Sequence, residues 1–392
     1  MIRSVDSDER TRRRRRREAV RRRRTRLAVA ALVAFVAGVA LGAAGDDAPE
    51  TRGPASAAEP AEEKAREAAA AVDRLLLEQQ VGRMVILRFV GTQPPGYVRR
   101  VLREGRAAGV ILFRDNVVSP GQMRRLTGTV QDAMPGAIVC ADQEGGEVRT
   151  LSWAGPEGAA PDQAAGGTVH ADALSAAREL KAAGVNVTLA PVADMPSVDG
   201  AALAGRAFAR SPAVSDRVAE AIDGWHDGGV ATTAKHFPGL GGATVNTDDG
   251  PATIKRSRSE LDVDLAPFRA AIAAGTEFVM AGHATYPALD GLHIASQSPA
   301  IIDGLLRREL GFKGVVMTDS LEAAAVQATG DVEEAAVASA EAGVDVILTT
   351  GRGSYIHVYR ALLARAKADR GFRARVRAAA ARVLAAQSSM DG

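Results

Sequence analysis

Short apolar runs rich in β-branched residues recur along the chain from residue 84 onward. Most are followed by a longer segment whose apolar residues return every three or four positions, a spacing typical of an amphipathic helix. Continuous apolar strands that alternate with helices indicate a parallel sheet covered on both faces. The eight predicted strands are Met84–Phe89, Gly109–Phe113, Ala137–Ala141, Val185–Leu189, Val230–Ala234, Glu277–Ala281, Gly314–Thr318 and Val344–Leu348.

Helical spacing is clearest in five segments. They are Ala61–Met84, Pro120–Ala133, Ala171–Ala183, Pro212–Asp227 and the Ala/Arg-rich terminal segment Phe372–Ala386. Eight strands separated by helices predict an α/β fold, a single-domain (β/α)8 TIM-type barrel. A doubly wound open sheet is the alternative, although no G-x-G-x-x-G turn follows a predicted strand.

The net charge of +2 conceals two very different parts of the chain. Residues 1–26 contain thirteen arginines and four acidic residues, a net charge of +9, which leaves −7 for residues 27–392. Residues 27–44 form an uncharged apolar run, close in length to the ~20 residues needed to cross a bilayer. Because Lys/Arg-rich flanks stay on the cytoplasmic side, we expect the body of the protein outside the cytoplasm.

The apolar run has two interpretations. It exceeds the roughly 7–15 apolar residues usual in a signal peptide, which favours an uncleaved single-pass anchor in the cell membrane. The alternative is a signal peptide cleaved near Gly42–Ala44, which would release a secreted protein. Arginines beside an apolar run fit control of topology and contact with anionic lipid better than nucleic-acid binding, so no nucleic-acid partner is expected.

The remaining domain boundaries follow from composition. Residues 45–62 are rich in Pro, Gly, Ala and acids without an apolar period, and are predicted to be a linker. Residues 63–392 are predicted to be the barrel domain.

The sequence offers little for metal or cofactor chemistry. Its one cysteine, Cys140, cannot form an intramolecular disulfide or a Cys-rich zinc site, and we predict that it is a buried core residue. The six histidines are scattered, and no H-E-x-x-H motif occurs. We therefore predict neither a metal nor a cofactor.

Strongly polar residues follow six of the predicted strands. Because the catalytic residues of a TIM barrel lie at the carboxyl ends of its strands, these residues indicate a polar, hydrogen-bonding pocket in the barrel mouth. They are Arg114, Asp115, Asn116, Asp142, Gln143, Glu144, Asp194, Lys235, His236, His283 and Asp319.

Three of these segments resemble glycoside hydrolase family 3 in order and spacing. They are A-D-Q-E-G-G at 141–146, K-H-F-P-G at 235–239 and M-T-D at 317–319. The likeness runs from about Leu75 to Ala386 and is to the single-domain bacterial β-N-acetylglucosaminidases, or β-hexosaminidases, of cell-wall recycling and turnover.

The resemblance implies a retaining glycosidase that forms a covalent glycosyl-enzyme. Asp319 matches the nucleophile, and a carboxylate can attack an anomeric carbon. Asp142, Arg206, Lys235 and His236 match sugar-binding positions, where carboxylate and cationic groups hydrogen-bond to hydroxyls. With a body facing the cell wall, the expected partner is an N-acetylglucosamine-containing glycan or muropeptide of peptidoglycan.

The loop after K-H-F-P-G departs from the family pattern. A retaining glycosidase needs a second group that protonates the leaving oxygen and then activates water, and this branch uses an Asp-Ser-His dyad. Here Asn246 stands at the aspartate and Asp248 at the histidine, with no histidine between His236 and His283.

Other positions near these motifs also differ from the family. Glu147 and Thr150 stand where arginines are usual, and Leu240 replaces a histidine. Arg149, one position before Thr150, could compensate for the missing arginine, but it is expected to point elsewhere if the backbone register is kept.

Two functions remain open on the sequence. In the first, the protein is an active exo-β-N-acetylhexosaminidase-like hydrolase with Asp248, or the neighbouring Asp249, as acid/base. That role requires a raised pKa, which burial near the nucleophile could provide. In the second, the protein is a catalytically impaired, membrane-tethered glycan-binding protein that keeps the sugar pocket.

Overall fold

The computed structural model describes residues 58–390. The predicted cytoplasmic segment 1–26, the apolar run 27–44 and most of the predicted linker lie outside the described residues, so these assignments stay predictions. Within the described range, no helix combines the length and apolar character needed to span a membrane.

The described part of the chain contains twelve strands, most of them short. Numbered in chain order, they are β1 Val85–Arg88, β2 Gly109–Leu112, β3 Ile138–Ala141, β4 Gln143–Gly145, β5 Val148–Arg149, β6 Val187–Thr188, β7 Thr233–Phe237, β8 Phe278–Ala281, β9 Thr285–Tyr286, β10 Asp290–Ile294, β11 Val315–Thr318 and β12 Ile347–Thr349.

Eight of these strands close into a parallel ring. Hydrogen bonds join five in the order β12-β1-β2-β3-β6 and three in the order β11-β8-β7. Parallel bridges from Val187 to Ala231 and from Met317 to Val346 connect the two sheets at both edges. Each ring strand corresponds to one predicted apolar run, and a closed ring of this kind is what the (β/α)8 prediction requires.

Helices connect successive strands and cover the outside of the ring. The described α-helices are Ala58–Val72, Leu77–Gly82, Gly96–Arg103, Pro120–Ala133, Ala160–Gly166, Val169–Ala182, Val214–Asp227, Arg258–Asp264, Ala266–Ala273, Ala324–Gln327, Val332–Ala342, Ser354–Ala368 and Arg370–Met390. There are also a π-helix, Ala300–Glu309, and two 3₁₀ turns, Arg114–Asn116 and Ala295–Gln297.

Side chains alternate along the ring strands between the inside of the barrel and the surrounding helices. Cys140 on β3 and Met317 on β11 belong to the hydrophobic cluster inside the ring, and their sequence neighbours pack in a larger cluster against the helices. The prediction that Cys140 is buried is confirmed. Asp142 and Asp319 come two residues after these interior positions, so the alternation directs both carboxylates toward the barrel mouth.

The terminal helix Arg370–Met390 covers the other end of the ring. Its Val383 belongs to the interior cluster. Its Gln387 Nε2 donates to the carbonyl oxygens of Ala108 at 3.3 Å and Gly136 at 2.9 Å, just before β2 and β3 begin. The opposite end of the ring, where the strands have their carboxyl ends, is the polar face of the barrel.

Strand β7 differs from its prediction. It covers Thr233–Phe237 rather than Val230–Ala234, so Lys235 and His236 lie within the strand and not after it. Both side chains are buried, and carboxylate partners replace their contacts with water. A hydrophobic pattern does not reveal such compensation, because it treats charged residues as exposed.

The predicted helix Ala61–Met84 is also wrong as a single element. Leu76 has an extended backbone, with φ −63° and ψ 155°, and its N–H donates to Gln79 Oε1 at 3.1 Å, which starts a new helix at Leu77. The preceding helix begins at Ala58, inside the segment predicted to be a linker.

Gly109 provides a test of the ring's close strand packing. A Cβ at this position would lie 1.9 Å from the carbonyl oxygen of Ile138, so β2 and β3 would have to move apart. We expect Gly109→Ala to lower the free energy of unfolding by about 1–3 kcal/mol in urea titrations of the full chain. The control Gly128→Ala places a Cβ with nothing within 4 Å on a helix and should raise it by about 0.5–1 kcal/mol. Equal effects of the two substitutions would contradict this account of Gly109.

Candidate active site

A cavity of about 770 Å³ opens at the carboxyl ends of the ring strands. Its wall includes all six residues that the sequence assigned to the site, namely Asp142, Arg206, Lys235, His236, Asp248 and Asp319. Residues far apart in the sequence therefore meet in one pocket, and their individual roles stay predictions.

Two consecutive residues of β7 face this cavity. Lys235 and His236 both line it, although successive side chains of a regular strand point to opposite faces. The pairing of β7 with β8 shifts register between Lys235 and Phe237. Such an irregularity re-aims side chains, which accounts for the presence of both groups in the pocket.

A buried carboxylate joins two of the cationic side chains that line the pocket, Lys235 and Arg206. Lys235 Nζ lies 2.5 Å from Glu144 Oε1 and 2.6 Å from Asp142 Oδ1. Arg206 donates to both oxygens of Glu144, at 2.7 and 2.9 Å. The Glu144 side chain is only 5% exposed, so this carboxylate is held almost entirely by protein partners.

Glu144 and the cations Lys235 and Arg206 favour one another's charged forms. Burial alone would raise the pKa of Glu144, but the charges of Lys235 and Arg206 outweigh it and bring the pKa to about 2. Burial alone would lower the pKa of Lys235, and the charges of Asp142 and Glu144 instead raise it. Glu144 and Lys235 are therefore both charged at neutral pH and are held in place by protein partners.

His236 is oriented by a buried aspartate. Its Nδ1 lies 2.7 Å from Asp194 Oδ2. Asp194 Oδ1 also accepts the backbone N–H groups of His236 at 3.2 Å and Leu240 at 2.6 Å. Because Nδ1 donates to a carboxylate, Nε2 is the ring atom presented to the cavity, 3.8 Å from Asp319 Oδ2.

Asp319 lies directly after β11, and its Oδ1 accepts the backbone N–H of Ser320 at 2.7 Å. Burial would raise the pKa of Asp319, but the neighbouring His236 and His283, the Ser320 amide and Lys235 together outweigh it and lower the pKa. His283 lies behind this turn, with Nε2 3.0 Å from the carbonyl oxygen of Ser320 and Nδ1 2.8 Å from Ser296 Oγ. An ionised carboxylate on a fixed turn is suited to act as a nucleophile.

Asp248 lies on the loop after β7, exposed on one side and facing the cavity on the other. Partial burial and the negative charge of Asp319 raise its pKa. The loop is attached to the segment after β11, since Ala324 N donates to Asp248 O at 3.2 Å and Ala325 N to Thr247 O at 3.0 Å. One carboxyl with a lowered pKa and one with a raised pKa thus line the same cavity.

Three supporting residues received no role in the sequence analysis. Glu144 holds Lys235 and Arg206, Asp194 orients His236, and His283 fixes the turn after β11. All three were recognised as polar residues near strand ends, but that signal does not distinguish a supporting group from a group that touches a ligand.

The condition on which Arg149 was expected to point away from the pocket is not met. Arg149 lines the cavity instead of pointing away from it. The hairpin formed by β4 and β5 shifts register between Gln143 and Gly145, so the regular alternation on which the expectation depended is not kept.

Comparisons with known proteins identify the family of this chain. The family model described as the glycosyl hydrolase family 3 N terminal domain matches residues 76–386. The chain is 35% identical over 278 residues to a beta-hexosaminidase of Stenotrophomonas maltophilia (strain K279a), covering 68% of this chain and 82% of the relative. It is 34% identical over 295 residues to a protein of Arthroderma benhamiae described as an uncharacterized secreted glycosyl hydrolase, covering 71% and 83%.

A solved structure is similar over most of the described range. It is a glycoside hydrolase family 3 beta-N-acetylglucosaminidase from Paenibacillus sp. str. FPU-7, with a TM-score of 0.77 and 34% identity. The match covers 81% of this chain but only 64% of that one, so the chain spans just under two thirds of that protein's length.

The lowered pKa of Glu144 predicts a specific pH dependence of stability. A carboxyl whose pKa falls on folding stabilises the protein above its unfolded pKa and loses that contribution as the pH falls toward its folded pKa. The pKa falls from 4.5 to about 2, which corresponds to a contribution on the order of 3 kcal/mol at neutral pH.

We therefore expect Glu144→Gln to unfold at lower urea concentration than wild type at pH 7, with the difference shrinking from about pH 4.5 downward. Glu147→Gln, an exposed change in the same hairpin region, serves as the control and should show little difference at any pH. A Glu144→Gln deficit that stays constant from pH 7 to pH 3 would show that its charge is not responsible.

Proposed function

Because this chain belongs to glycosyl hydrolase family 3, a family of glycosidases, we propose that it is a retaining exo-β-N-acetylhexosaminidase-like hydrolase of cell-wall, peptidoglycan-type glycans. The observation that carries the proposal is the pair of carboxyl groups with opposite pKa shifts at one cavity. The pKa of Asp319 is lowered and that of Asp248 is raised, which is how paired carboxyl groups divide nucleophilic and acidic roles.

In the first step, an Asp319 oxygen attacks the anomeric carbon as the glycosidic C–O bond breaks. The proton of Asp248 goes to the leaving oxygen, and the sugar stays attached to Asp319 as an ester. In the second step, the Asp248 carboxylate takes a proton from water, whose oxygen attacks the anomeric carbon and releases Asp319. Asp248 is then protonated again, so the cycle consumes one water and no other reactant.

The buried charged cluster is proposed to bind the sugar. Asp142 can accept hydrogen bonds from two hydroxyls, and Lys235 and Arg206 can donate to adjacent oxygens. His236 presents Nε2 to the same cavity, since Asp194 occupies Nδ1. Because their protein partners already fix these groups, a sugar lacking a matching hydroxyl would leave buried polar atoms unpaired and bind poorly.

The proposed setting is outside the cytoplasm. The arginine segment 1–26 and the apolar run 27–44 support an anchored body, or a secreted one if the run is cleaved. The description of the Arthroderma benhamiae relative as secreted is compatible with either outcome. A body in that position, separated from the membrane by the linker before the barrel domain, would face cell-wall glycans.

Substitution of the two carboxyl groups tests the mechanism. On 4-nitrophenyl β-N-acetylglucosaminide, Asp319→Asn should reduce kcat by roughly 10³-fold or more, because no covalent intermediate can form. Asp248→Asn should cost roughly 10²–10⁴-fold on a substrate with a poor leaving group, and much less on the nitrophenyl substrate, whose leaving oxygen needs little protonation.

Asp249→Asn is the matched control, because Asp249 adjoins Asp248 but does not line the cavity. If Asp249→Asn, and not Asp248→Asn, loses activity on the poor leaving group, then the acid has been assigned to the wrong residue. If wild type is no faster than Asp319→Asn, the hydrolase proposal fails, and N-acetylglucosamine binding by the inactive protein would favour the glycan-binding alternative.

The opposite pKa shifts also predict the pH profile. The nucleophile must be ionised and the acid protonated, so kcat/KM should rise with pH through the lowered pKa of Asp319 and fall with pH through the raised pKa of Asp248. The falling limb should disappear in Asp248→Asn on the nitrophenyl substrate. A falling limb that is unchanged in this variant would assign that titration to another group.

A further inference from the structure

Strands β11 and β12 are neighbours in the ring, and their junction is a seam between its two hydrogen-bonded sheets. A parallel bridge from Met317 to Val346 joins them. Nearer the mouth a side chain enters the seam, since Thr318 Oγ1 accepts the backbone N–H of Leu348 at 3.0 Å. The backbone N–H of Leu321 donates to Leu348 O at 3.2 Å. A regular ladder therefore does not fix the chain between Thr318 and Leu321, and this stretch carries the proposed nucleophile.

Glu322 extends the seam to the barrel mouth through one carboxylate oxygen. Its Oε2 accepts the backbone N–H of Thr350 at 2.8 Å, the hydroxyl of Thr350 at 2.9 Å and the hydroxyl of Ser320 at 3.2 Å. The two hydroxyl oxygens are 2.6 Å apart. Ser320 and Thr350 line the cavity, whereas Glu322 does not. The Glu322 side chain thus takes the place of a backbone acceptor beside Thr350 and ties two cavity residues together.

The other carboxylate oxygen of Glu322, Oε1, is buried without a hydrogen-bond partner among residues 58–390. Gly351 packs over it, since a Cβ at that position would lie 2.8 Å from this oxygen. An unpaired polar atom in the interior lowers stability. The value of a carboxylate at this position therefore lies in the three bonds at Oε2.

Ser320 is held at two of its atoms, and its backbone N–H in turn holds the nucleophile. Its Oγ contacts Glu322, and its carbonyl oxygen lies 3.0 Å from His283 Nε2. Its N–H donates to Asp319 Oδ1 at 2.7 Å. Asp319 Oδ2 has no hydrogen-bond partner in the described part of the chain and lies 3.8 Å from His236 Nε2. One oxygen of the carboxylate is therefore fixed, and the other remains available for reaction.

We propose that Glu322 is a positioning residue for Asp319: by tying Ser320 to Thr350, it keeps the Ser320 amide on Oδ1 and leaves Oδ2 to attack the anomeric carbon. A reacting oxygen must lie about 3–3.5 Å from the atom it attacks, and a misplacement of about 1 Å costs about 10²-fold in rate. Glu322 acts through Ser320 and does not touch the cavity. This inference rests on the proposed function and deepens it, because it assigns the attacking oxygen and the group that orients it.

The first test separates the hydrogen bonds of Glu322 from its charge, on the full chain. Glu322→Gln keeps one acceptor oxygen for the three donors and places its amide nitrogen where Oε1 has no partner, so it should retain most of the activity. Glu322→Leu removes the acceptor and should reduce kcat by roughly 10–100-fold on phenyl β-N-acetylglucosaminide. Phenol is a poor leaving group, so attack by Asp319 limits the rate on this substrate. KM should change little, because the sugar-binding groups are unaltered.

The rising limb of the pH profile of kcat/KM gives a reading that does not depend on how much of a variant is folded. The Ser320 amide is one of the groups that lower the pKa of Asp319, because a donor to a carboxylate favours its ionised form. A loosened amide raises that pKa, so the limb should move to higher pH in Glu322→Leu and stay in place in Glu322→Gln. Both variants keep the other charged and titratable groups near Asp319, which are Lys235, His236, Asp248 and His283.

Two neighbouring threonines supply a matched pair. Thr350→Val removes one hydroxyl from Glu322 Oε2 and should shift the limb in the same direction by a smaller amount. Thr349→Val is the control, because the Thr349 hydroxyl donates to Ile86 O at 3.0 Å and its side chain does not line the cavity. This control should leave the limb and KM unchanged even where it lowers stability. If Glu322→Leu does not fold, Thr350→Val decides, and an unchanged limb rejects the inference.

The outcomes separate this inference from the proposed function. A Glu322→Leu protein with the kcat and rising limb of wild type overturns it, as does a Glu322→Gln protein that loses as much activity as Glu322→Leu. Equal shifts in Thr349→Val and Thr350→Val also overturn it. If wild type is no faster than Asp319→Asn, the hydrolase proposal fails. The pKa of Asp319, measured by carbon-13 NMR in wild type and the variants, then decides the positioning role: a rise supports it, and an unchanged value rejects it.

Discussion

Closure of eight parallel strands into a ring is the constraint on which the rest of this structure depends. In a closed ring every second side chain of each strand points toward a common axis, and all strands end at the same face. The interior positions are therefore apolar up to Cys140 and Met317, and the next residue on the same face is Asp142 or Asp319. Asp142 and Asp319 are 177 positions apart in the sequence. They line the same cavity because each follows an inward-facing position at the carboxyl end of a ring strand.

Burying charged side chains in a barrel mouth costs free energy unless they are paired. Glu144 pairs with both Lys235 and Arg206. Two cations and two carboxylates balance within this cluster. Both cations raise the cost of neutralising Glu144, and both carboxylates raise the cost of neutralising Lys235. The Glu144 carboxylate can remain buried because Lys235 and Arg206 replace its water. The same exchange fixes the positions of both cations, so the interaction that makes burial of charge tolerable also prepares the pocket for a polar ligand.

Helices and strands that depend on neighbouring residues could be predicted from the sequence. The helix Pro120–Ala133 has the bounds that its apolar spacing predicted, and in the structure Ser119 caps its start while Pro120 occupies its first position. The features that were not predicted from the sequence depend on contacts between residues far apart in the chain. Lys235 and His236 can be buried in β7 because Asp142, directly after β3, and Asp194, on the segment after β6, pair with them. Arg149 faces the cavity because of a register shift that no propensity encodes.

Asp248 stands where the family pattern has a histidine, and this replacement changes the electrostatics of the proposed cycle. A neutral carboxylic acid can stand beside the ionised Asp319 without repulsion, and the charge of Asp319 is one reason that the acid keeps its proton. Formation of the ester on Asp319 removes that charge. In the proposed cycle, burial would still raise the pKa of Asp248, but the contribution of the Asp319 charge would be lost. The ionised form that must accept a proton from water would then be easier to reach. The charge of the nucleophile would thus set the protonation of its partner in both steps, a coupling that requires only that the two carboxyl groups share one cavity.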